Sequence, residues 1–261
     1  MSGLIALELG RVAHLELVDP PLNLVTAALL HELDGALEQL EAAPPGDVRA
    51  VVVSGRGERA FSVGSNVKEF EAHRSSRSGG RERFELEARI AQRLAGLPMP
   101  TIAAIEGDAL GGGLEIVLCC DLRIASERAK LGLPEVRLAV TPSTGGTQRL
   151  PRIVGPARAK ELLLTGRIID AAEAWRIGLV NEVVAAGRAV ERAMAIGLEI
   201  ADRGPLAVRA VKVLVDAALD RDLAVGHAAE VDASVRIFAT DDLLEGARSF
   251  VEKRPPTYHG R

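Results

Sequence analysis

The chain has 261 residues, of which 48% are hydrophobic and 26% charged, a balance that is ordinary for a globular protein. Its net charge of −4 provides no electrostatic footprint for nucleic acid or for an anionic membrane surface. The two cysteines are adjacent, which excludes both a zinc-binding spacing and a disulfide framework. Because the sequence shows no signal-peptide pattern and no apolar stretch as long as a membrane span, we expect a cytoplasmic protein without nucleic-acid or membrane partners.

The first two thirds of the chain predict strands that alternate with helices. Alternating apolar residues over 5–17 predict an antiparallel hairpin, and leucines at helical spacing predict a helix that ends before Pro44. Short buried strands are predicted at 49–55, 101–105, 122–126 and 179–184. Further helices are predicted near 81–97, 157–164 and 171–177.

From about residue 189 onward, only helical periodicity remains. Helices are predicted near 189–202, 206–219, 222–239 and 241–254. The second of these carries an apolar face, formed by Val208, Val211, Val215 and Leu219, that one small core would not fully cover. We therefore expect residues 1–188 to form an α/β core that contains the active site, and residues 189–261 to form a helical region for oligomerisation.

The stretch 101–121 carries the strongest indication of chemistry. It predicts a buried strand, a turn, three consecutive glycines and then a short apolar helix with one carboxylate, Glu115, in its first turn. Three glycines in a row are costly in chain entropy, which indicates that bare backbone is needed there. A glycine turn lets a ligand oxygen approach backbone N–H groups that have no partner within the helix. The alternative is a tight contact between helix and sheet, with Glu115 interacting with the helix dipole.

Most other site chemistries lack a matching motif. The glycines between 107 and 113 do not have the spacing of a dinucleotide-binding turn, and there is no phosphate-binding loop, serine-hydrolase elbow or zinc-protease motif. The sequence gives no support for a metal site. Two glutamates, Glu115 and Glu135, and two glycine-rich turns, around Gly64 and Gly112, remain. Such a set suits proton transfer next to a carbonyl, where donors receive an enolate oxygen and carboxylates move protons.

The sequence resembles the crotonase superfamily, specifically its enoyl-CoA hydratase members. The resemblance spans nearly the whole chain, and the matching segments are 61–70, 107–121, 133–135, 141–155, 164–167, 178–181, 238–242 and 250–254. It implies an α/β fold in which a spiral of repeated ββα units is followed by helices that build a homotrimer, commonly paired into a hexamer.

The resemblance also implies a coenzyme A thioester as the substrate, so coenzyme A is part of the substrate and no separate cofactor is expected. By residue matching, Glu115 and Glu135 are the two catalytic glutamates that hold and activate a water. The backbone N–H groups of Ser65 and Gly112 are the implied oxyanion hole. The implied substrate-binding residues are Pro21, Leu22, Leu24, Val63, Asn66, Val67, Gly111, Pro134, Ser143 and Lys253, the last reaching the coenzyme A of a neighbouring subunit.

The chain departs from the family pattern at several positions. Ser65 stands where alanine is usual, and we expect its hydroxyl to be inert because the donor is main chain. Asn66 replaces a usual aspartate, and Ser143 replaces a usual glycine near the acyl pocket. Ser234 stands one turn before Phe238, where an aromatic is common.

The resemblance, with both Glu115 and Glu135 present, implies an enoyl-CoA hydratase that adds water across the C2–C3 double bond to give a 3-hydroxyacyl-CoA. One alternative is a double-bond isomerase that uses mainly Glu135, although the presence of Glu115 favours the hydratase. A second alternative is a non-catalytic trimer that binds coenzyme A or RNA on the same scaffold. The acidic balance argues against RNA, and the pair of glutamates argues against a loss of catalysis.

Overall fold

The structure, a computed structural model, describes residues 3–44, 46–70 and 77–261. Within these residues the strands are β1 (Ile5–Glu8), β2 (Val12–Leu17), β3 (Ala50–Gly55), β4 (Ala60–Ser62), β5 (Thr101–Ile105), β6 (Asp108–Leu110), β7 (Leu122–Ser126), β8 (Lys130–Gly132), β9 (Ile169–Asp170) and β10 (Glu182–Val184). They form two sheets, in the orders β1-β2-β3-β5-β7-β10 and β4-β6-β8-β9.

The strands of the larger sheet are those that the sequence predicts, although β10 begins at Glu182, three residues later than expected. Strands β1 and β2 pair as an antiparallel hairpin, and β2, β3, β5, β7 and β10 pair in parallel. All residues of β3 and β5 are buried, which explains why these strands are continuous apolar runs rather than alternating ones.

The smaller sheet is not predicted from the sequence. Strands β4, β6 and β8 pair in parallel, and β9 joins β8 antiparallel. Each of these strands has only two or three residues, which is too short for a periodic pattern of apolar residues to be recognised.

The described helices are α1 (Ala27–Ala42), α2 (Arg77–Ala95), α3 (Gly112–Leu118), α4 (Gly146–Val154), α5 (Pro156–Thr165), α6 (Ala171–Arg176), α7 (Ala189–Ala201), α8 (Pro205–Asp216), α9 (Leu223–Phe238) and α10 (Asp241–Glu252). Short 3₁₀ helices cover Val67–Glu69 and Glu135–Leu138. The predicted helices are confirmed, although α2 begins four residues earlier than expected. No described helix has both the length and the apolar character needed to cross a membrane.

Repeated units connect the two sheets. In each unit, one strand joins the larger sheet, the next joins the smaller sheet, and a helix follows: β3-β4-α2, then β5-β6-α3. Strands β7 and β8 begin a third unit, which continues through the 3₁₀ helix at Glu135. This is the predicted spiral of ββα units, and it confirms the α/β class. Because β4, β6 and β8 are parallel neighbours, the residues that follow them meet at one edge of the smaller sheet.

The apolar core lies on both faces of the larger sheet. Between this sheet and helices α1 to α3, the buried side chains include Leu15, Leu33 and Val53. On the opposite face, α7 packs its small residues, including Ala193, against Val52. Helices α8 to α10, with the turn that follows α8, instead carry many exposed apolar side chains, including Val211, Val215, Leu219, Val235, Phe238 and Phe250. This exposed apolar surface lies where the sequence predicts an interface. The division of the chain at residue 188 stays a prediction.

Candidate active site

The edge of the smaller sheet brings the backbone of residues 64 and 65 against the start of α3. Gly64 has a φ of +84°, and a Cβ there would lie 2.9 Å from the Gly112 nitrogen and 3.0 Å from the Leu110 oxygen. Only glycine fits this close approach in the left-handed region. The same proximity is seen from the other side, since a Cβ on Gly112 would lie 4.0 Å from the Ser65 nitrogen. The Ser65 and Gly112 nitrogens are therefore neighbours.

Neither of these two N–H groups donates a hydrogen bond within the described part of the chain. Gly112 is the first residue of α3, so its N–H has no partner within the helix. The preceding N–H, that of Gly111, is bound to the Gly132 oxygen at 2.9 Å and is not available. Two adjacent unpaired donors are the arrangement required to bind a developing oxyanion.

The three consecutive glycines serve two different purposes. Gly111 turns the chain with a φ of +53°. A Cβ on Gly113 would lie 2.1 Å from the Ser62 oxygen, so this glycine allows α3 to pack directly on β4. The tight contact between helix and sheet, considered above as an alternative, therefore exists beside the pair of free donors.

Glu115 is buried in the first turn of α3, with 2% of the residue exposed. Its Oε1 accepts hydrogen bonds from the N–H groups of Thr144, at 2.7 Å, and Gly146, at 2.8 Å. Burial raises the pKa of Glu115 above its ordinary value, while these two N–H groups oppose that rise because they stabilise the carboxylate. The two bonds fix the side chain and leave Oε2 for another partner.

Glu135 follows β8 and is the first residue of a 3₁₀ helix that Pro134 precedes. Its two carboxylate oxygens are buried and have no hydrogen-bond partner among the described residues. Burial, and to a lesser extent the charge of Glu115, raise the pKa of Glu135 to about 7. A Cβ on Gly111 would lie 3.6 Å from Glu135 Oε1, so this carboxyl lies beside the start of α3. A buried carboxyl without a partner indicates a place for a ligand or a water.

The predicted substrate-binding residues near the N-terminus lie along the same turn. Leu22 accepts a hydrogen bond from the Val63 N–H at 3.1 Å, and Val25, one residue after Leu24, donates to the Gly64 oxygen at 2.9 Å. Pro21 is exposed at the start of this segment. These contacts hold residues 21–25 against the backbone that carries the Ser65 N–H.

The remaining predicted residues are less closely connected to the two carboxyl groups. Asn66 caps the 3₁₀ helix by accepting from the Lys68 N–H at 3.2 Å, and Val67 is 54% exposed. Lys253 is exposed at the end of α10, and its contact with a neighbouring subunit stays a prediction. The structure therefore brings Ser65, Gly112, Glu115 and Glu135 to one site and places Lys253 on a surface helix.

Two of the serines that depart from the family pattern, Ser65 and Ser143, have hydrogen-bond partners on helix α2. Ser65 Oγ accepts a hydrogen bond from Arg83 Nη2 at 3.2 Å, and the expectation that this hydroxyl takes no part in the reaction stays a prediction. Ser143 Oγ donates to Glu87 Oε2 at 2.8 Å. The sequence interpretation missed Arg83 and Glu87. Their four-residue spacing in a charged helix is their only sequence signal, and it is typical of a solvent-exposed ion pair.

A cavity of about 10 Å³ lies directly behind the start of α3. It is lined by Gly112, Glu87, Thr144 and apolar side chains of α1, α2 and α3, among them Leu33, Ile90 and Ile116. This volume holds about one water molecule. A larger cavity, of about 160 Å³, lies between α1 and α8, and none of the candidate site residues line it.

Comparison with known proteins shows the family of the chain. The sequence matches the family described as enoyl-CoA hydratase/isomerase over residues 9–261. The chain belongs to this family. The predicted recognition and the predicted spiral fold are therefore confirmed.

Individual members of the family match along most of their length. The mitochondrial methylglutaconyl-CoA hydratase of Rattus norvegicus is 39% identical over 243 residues, which cover 91% of this chain and 76% of that protein. The short-chain-enoyl-CoA hydratase of Clostridium acetobutylicum is 38% identical over 246 residues, which cover 94% and 93% of the two chains. Among solved structures, an enoyl-CoA hydratase from Bacillus anthracis has a TM-score of 0.94 and 40% identity, and covers 99% of this chain and 100% of that chain.

Proposed function

We propose that this enoyl-CoA hydratase/isomerase family member adds water across the C2–C3 double bond of a 2-enoyl-CoA to give a 3-hydroxyacyl-CoA. The observation that carries the proposal is the pair of buried carboxyl groups, Glu115 and Glu135, next to two unpaired N–H donors. Hydration uses both carboxyl groups, whereas a simple proton shift between C2 and C4 uses one base.

The N–H groups of Ser65 and Gly112 receive the thioester oxygen in this proposal. Addition at C3 moves negative charge onto that oxygen as the enolate forms, and the two donors stabilise this charge without having to reorganise. Removal of one such donor typically lowers the rate by about 10²–10³. The substrate-binding segment 21–25 and residues 63–67 hold the coenzyme A portion, with Gly111, Pro134 and Ser143 closer to the acyl group.

We assign opposite roles in proton transfer to the two carboxyl groups. Two backbone N–H groups stabilise Glu115 in its charged form, which suits the base that takes a proton from water as the oxygen bonds to C3. The Glu135 carboxyl accepts no hydrogen bond from any other described residue, and its pKa is raised to about 7, which suits the acid that protonates C2. One turnover leaves Glu115 protonated and Glu135 ionised. A proton must therefore return from Glu115 to Glu135, directly or through solvent, before the next turnover.

The assembly is part of the same proposal. We propose that residues 189–261 join three copies of the chain, or two such trimers, through the exposed apolar faces of α8 to α10. In this arrangement Lys253 of one subunit reaches the coenzyme A bound to another. The cytoplasmic location stays a prediction.

The test follows the conjugated-enone absorbance of a panel of 2-enoyl-CoA thioesters in ordinary and isotopically labelled water. We expect the purified protein to form the 3-hydroxyacyl product and to take up label at C2 and C3. Glu115→Gln and Glu135→Gln should each lower kcat by about 10²–10⁴, because each removes a general acid or base. Glu8→Gln, at an exposed position of β1, is the matched control and should retain activity.

The alternative function, a double-bond isomerase, predicts a different result. If Glu115→Gln remains fully active, and the wild-type protein converts a 3-enoyl-CoA without forming the hydroxyacyl product, the isomerase is correct and hydration is not the function. A protein that binds coenzyme A thioesters but converts neither substrate would correspond to the non-catalytic alternative.

A further inference from the structure

Helix α2 carries a buried ion pair beside the candidate active site. Arg83 Nε donates to Glu87 Oε1 at 3.0 Å, and the two side chains are only 7% and 4% exposed. No role in the proposed reaction has been assigned to either residue. A buried ion pair of this kind adds little to stability compared with an apolar pair of the same volume, because both charges must be removed from water.

The arginine side of the pair binds the segment that carries one oxyanion donor. Arg83 Nη2 donates to the Val25 oxygen and to Ser65 Oγ, at 3.2 Å in both cases. Val25 is itself bound to this turn, since its N–H donates to the Gly64 oxygen at 2.9 Å. Val25 Cγ2 also lies 3.8 Å from where a Cβ on Gly112 would be. The guanidinium therefore holds both the Ser65 side chain and the Val25 backbone that is bound to the turn carrying the Ser65 N–H.

The glutamate side binds the loop that orients Glu115. Glu87 Oε2 accepts from the hydroxyl of Ser143 at 2.8 Å and from that of Thr144 at 3.4 Å. The N–H of Thr144 in turn donates to Glu115 Oε1 at 2.7 Å. A single residue therefore connects Glu87 to the carboxyl group proposed as the base.

We propose that Arg83 and Glu87 are positioning residues that hold the Ser65 N–H and the Glu115 carboxylate in their relative places. The proposal rests on the proposed hydratase function. Both charges are needed for this role, because the planar guanidinium donates to Glu87, Val25 and Ser65 at once in a fixed fork. A lysine ammonium is a single point charge and cannot reproduce that geometry.

The same helix provides a matched control. Arg81 and Glu85 have the same four-residue spacing and an N–O distance of 2.8 Å, but their side chains are 81% and 62% exposed. They lie on the solvent side of α2 and contact none of the candidate site residues among the described part of the chain. Equal substitutions in the two pairs therefore change the same chemistry at a buried and at an exposed position.

The first experiment compares Arg83→Lys and Glu87→Gln with Arg81→Lys and Glu85→Gln in the hydration assay. We expect the two buried substitutions to lower kcat by about 10–100-fold, since misplacement of reacting groups by about 1 Å costs up to about 10² in rate. We expect KM to change much less than kcat, because Arg83 and Glu87 hold the Val25 oxygen and the hydroxyls of Ser65 and Ser143 but are not themselves proposed to contact the substrate. The two exposed substitutions should match the wild-type protein.

A second readout reports on the oxyanion donors without turnover. A 3-ketoacyl-CoA has an enolate with a distinct near-ultraviolet absorbance, and paired N–H donors stabilise that enolate when it is bound. Arg83→Lys should lower the enolate fraction of the bound ligand at a fixed pH, and Arg81→Lys should not. This readout separates the two proposals: a wild-type protein that binds the enolate but forms no hydroxyacyl-CoA fails as a hydratase, while the effect of Arg83 remains measurable.

A third readout uses the charge of Glu87. The charged or titratable groups near Glu115 are Glu87 on α2, Glu135 in the 3₁₀ helix, Arg149 on α4 and the Cys119 thiol on α3. Burial is the largest cause of the raised pKa of Glu115, and the Glu87 charge adds to it. Glu87→Gln should therefore shift the acidic limb of the kcat/KM profile to lower pH, whereas Glu85→Gln should not.

Unfolding of a single variant does not prevent the test. Replacing a whole buried ion pair by apolar side chains of similar volume is often neutral or stabilising, so the double variant Arg83→Met/Glu87→Leu should remain folded. We expect this folded variant to show the same loss of kcat and of bound enolate. Wild-type kcat per folded site in Arg83→Lys, Glu87→Gln or the double variant would show that the pair is only structural and would overturn the proposal.

Discussion

Replacement of Glu135 by glutamine should stabilise the protein above neutral pH while it removes activity. The folded protein buries the Glu135 carboxyl oxygens without a hydrogen-bond partner among the described residues, and the pKa of this group is raised from 4.5 to about 7. The stability that this group contributes is present below about pH 4.5 and is lost as the pH rises through about 7, because the unfolded chain ionises first. A neutral glutamine of the same shape does not ionise, so the variant does not lose this stability as the pH rises.

The size of the effect follows from the shift in pKa. Each pKa unit corresponds to about 1.4 kcal/mol, so a shift from 4.5 to about 7 sets an upper limit of about 3 kcal/mol. Part of the Glu135 side chain contacts solvent, and solvent screening reduces this limit to about 1–2 kcal/mol. We therefore expect the free energy of unfolding of Glu135→Gln to exceed that of the wild type by about this amount at about pH 8, and by much less at about pH 5.

Urea unfolding followed by circular dichroism at these two pH values measures the difference. All samples must have the same protomer concentration, because the stability of an oligomer depends on it. Glu8→Gln changes the charge equally at an exposed position and should show no dependence of this kind. If Glu135→Gln proved equally or less stable than the wild type at both pH values, burial would not strain the Glu135 carboxylate and the reasoning would be wrong.

Three further predictions concern the donors and the assembly. Gly112→Pro removes the N–H of Gly112 and should lower kcat by about 10²–10³ relative to Gly112→Ala. Gly112→Ala is the control because it keeps this N–H and its Cβ would lie 3.7 Å or more from its neighbours. Equal kcat values in the two variants would exclude the Gly112 N–H as an oxyanion donor. Ser65→Ala keeps the backbone donor and loses the 3.2 Å hydrogen bond to Arg83, so its kcat should fall by less than about tenfold. A loss of about a hundredfold would show that the hydroxyl itself has a direct role in the reaction. Light scattering should show a trimer or a hexamer, and a stable monomer at micromolar concentration would contradict the proposed interface of α8 to α10.

Strand length separates what the sequence predicts of the fold from what it does not. The central strands β3 and β5 of the larger sheet are buried on both faces over six and five residues, so their apolar runs are long enough to recognise. Strands β4, β6 and β8 have three residues each, and the pairing between them depends on chain segments far apart in sequence. Only their pairing brings Ser65, Gly112 and Glu135 together.

The candidate site shows a similar limit. Glu115 is conspicuous in the sequence because a carboxylate within an apolar helix needs a reason other than packing. Arg83 and Glu87 lie instead in a helix rich in charge, where Arg81 and Glu85 have the same spacing. Which of the two pairs is buried depends on the face that α2 turns toward the core, and local sequence does not determine that face.

The position of the site within the ββα units has a consequence for how activity arises. Each of three successive units contributes one part at the same point, after its strand in the smaller sheet: Ser65 after β4, Gly112 after β6 and Glu135 after β8. The distances between the N–H donors and the carboxyl groups are therefore set by the pitch of the spiral of ββα units, that is, by the separation of its neighbouring units. No single ββα unit contains a complete site, and the site is complete only when three units are packed side by side. A substitution far from the substrate that changes this pitch would therefore change the oxyanion donors and the water-binding carboxyl groups together.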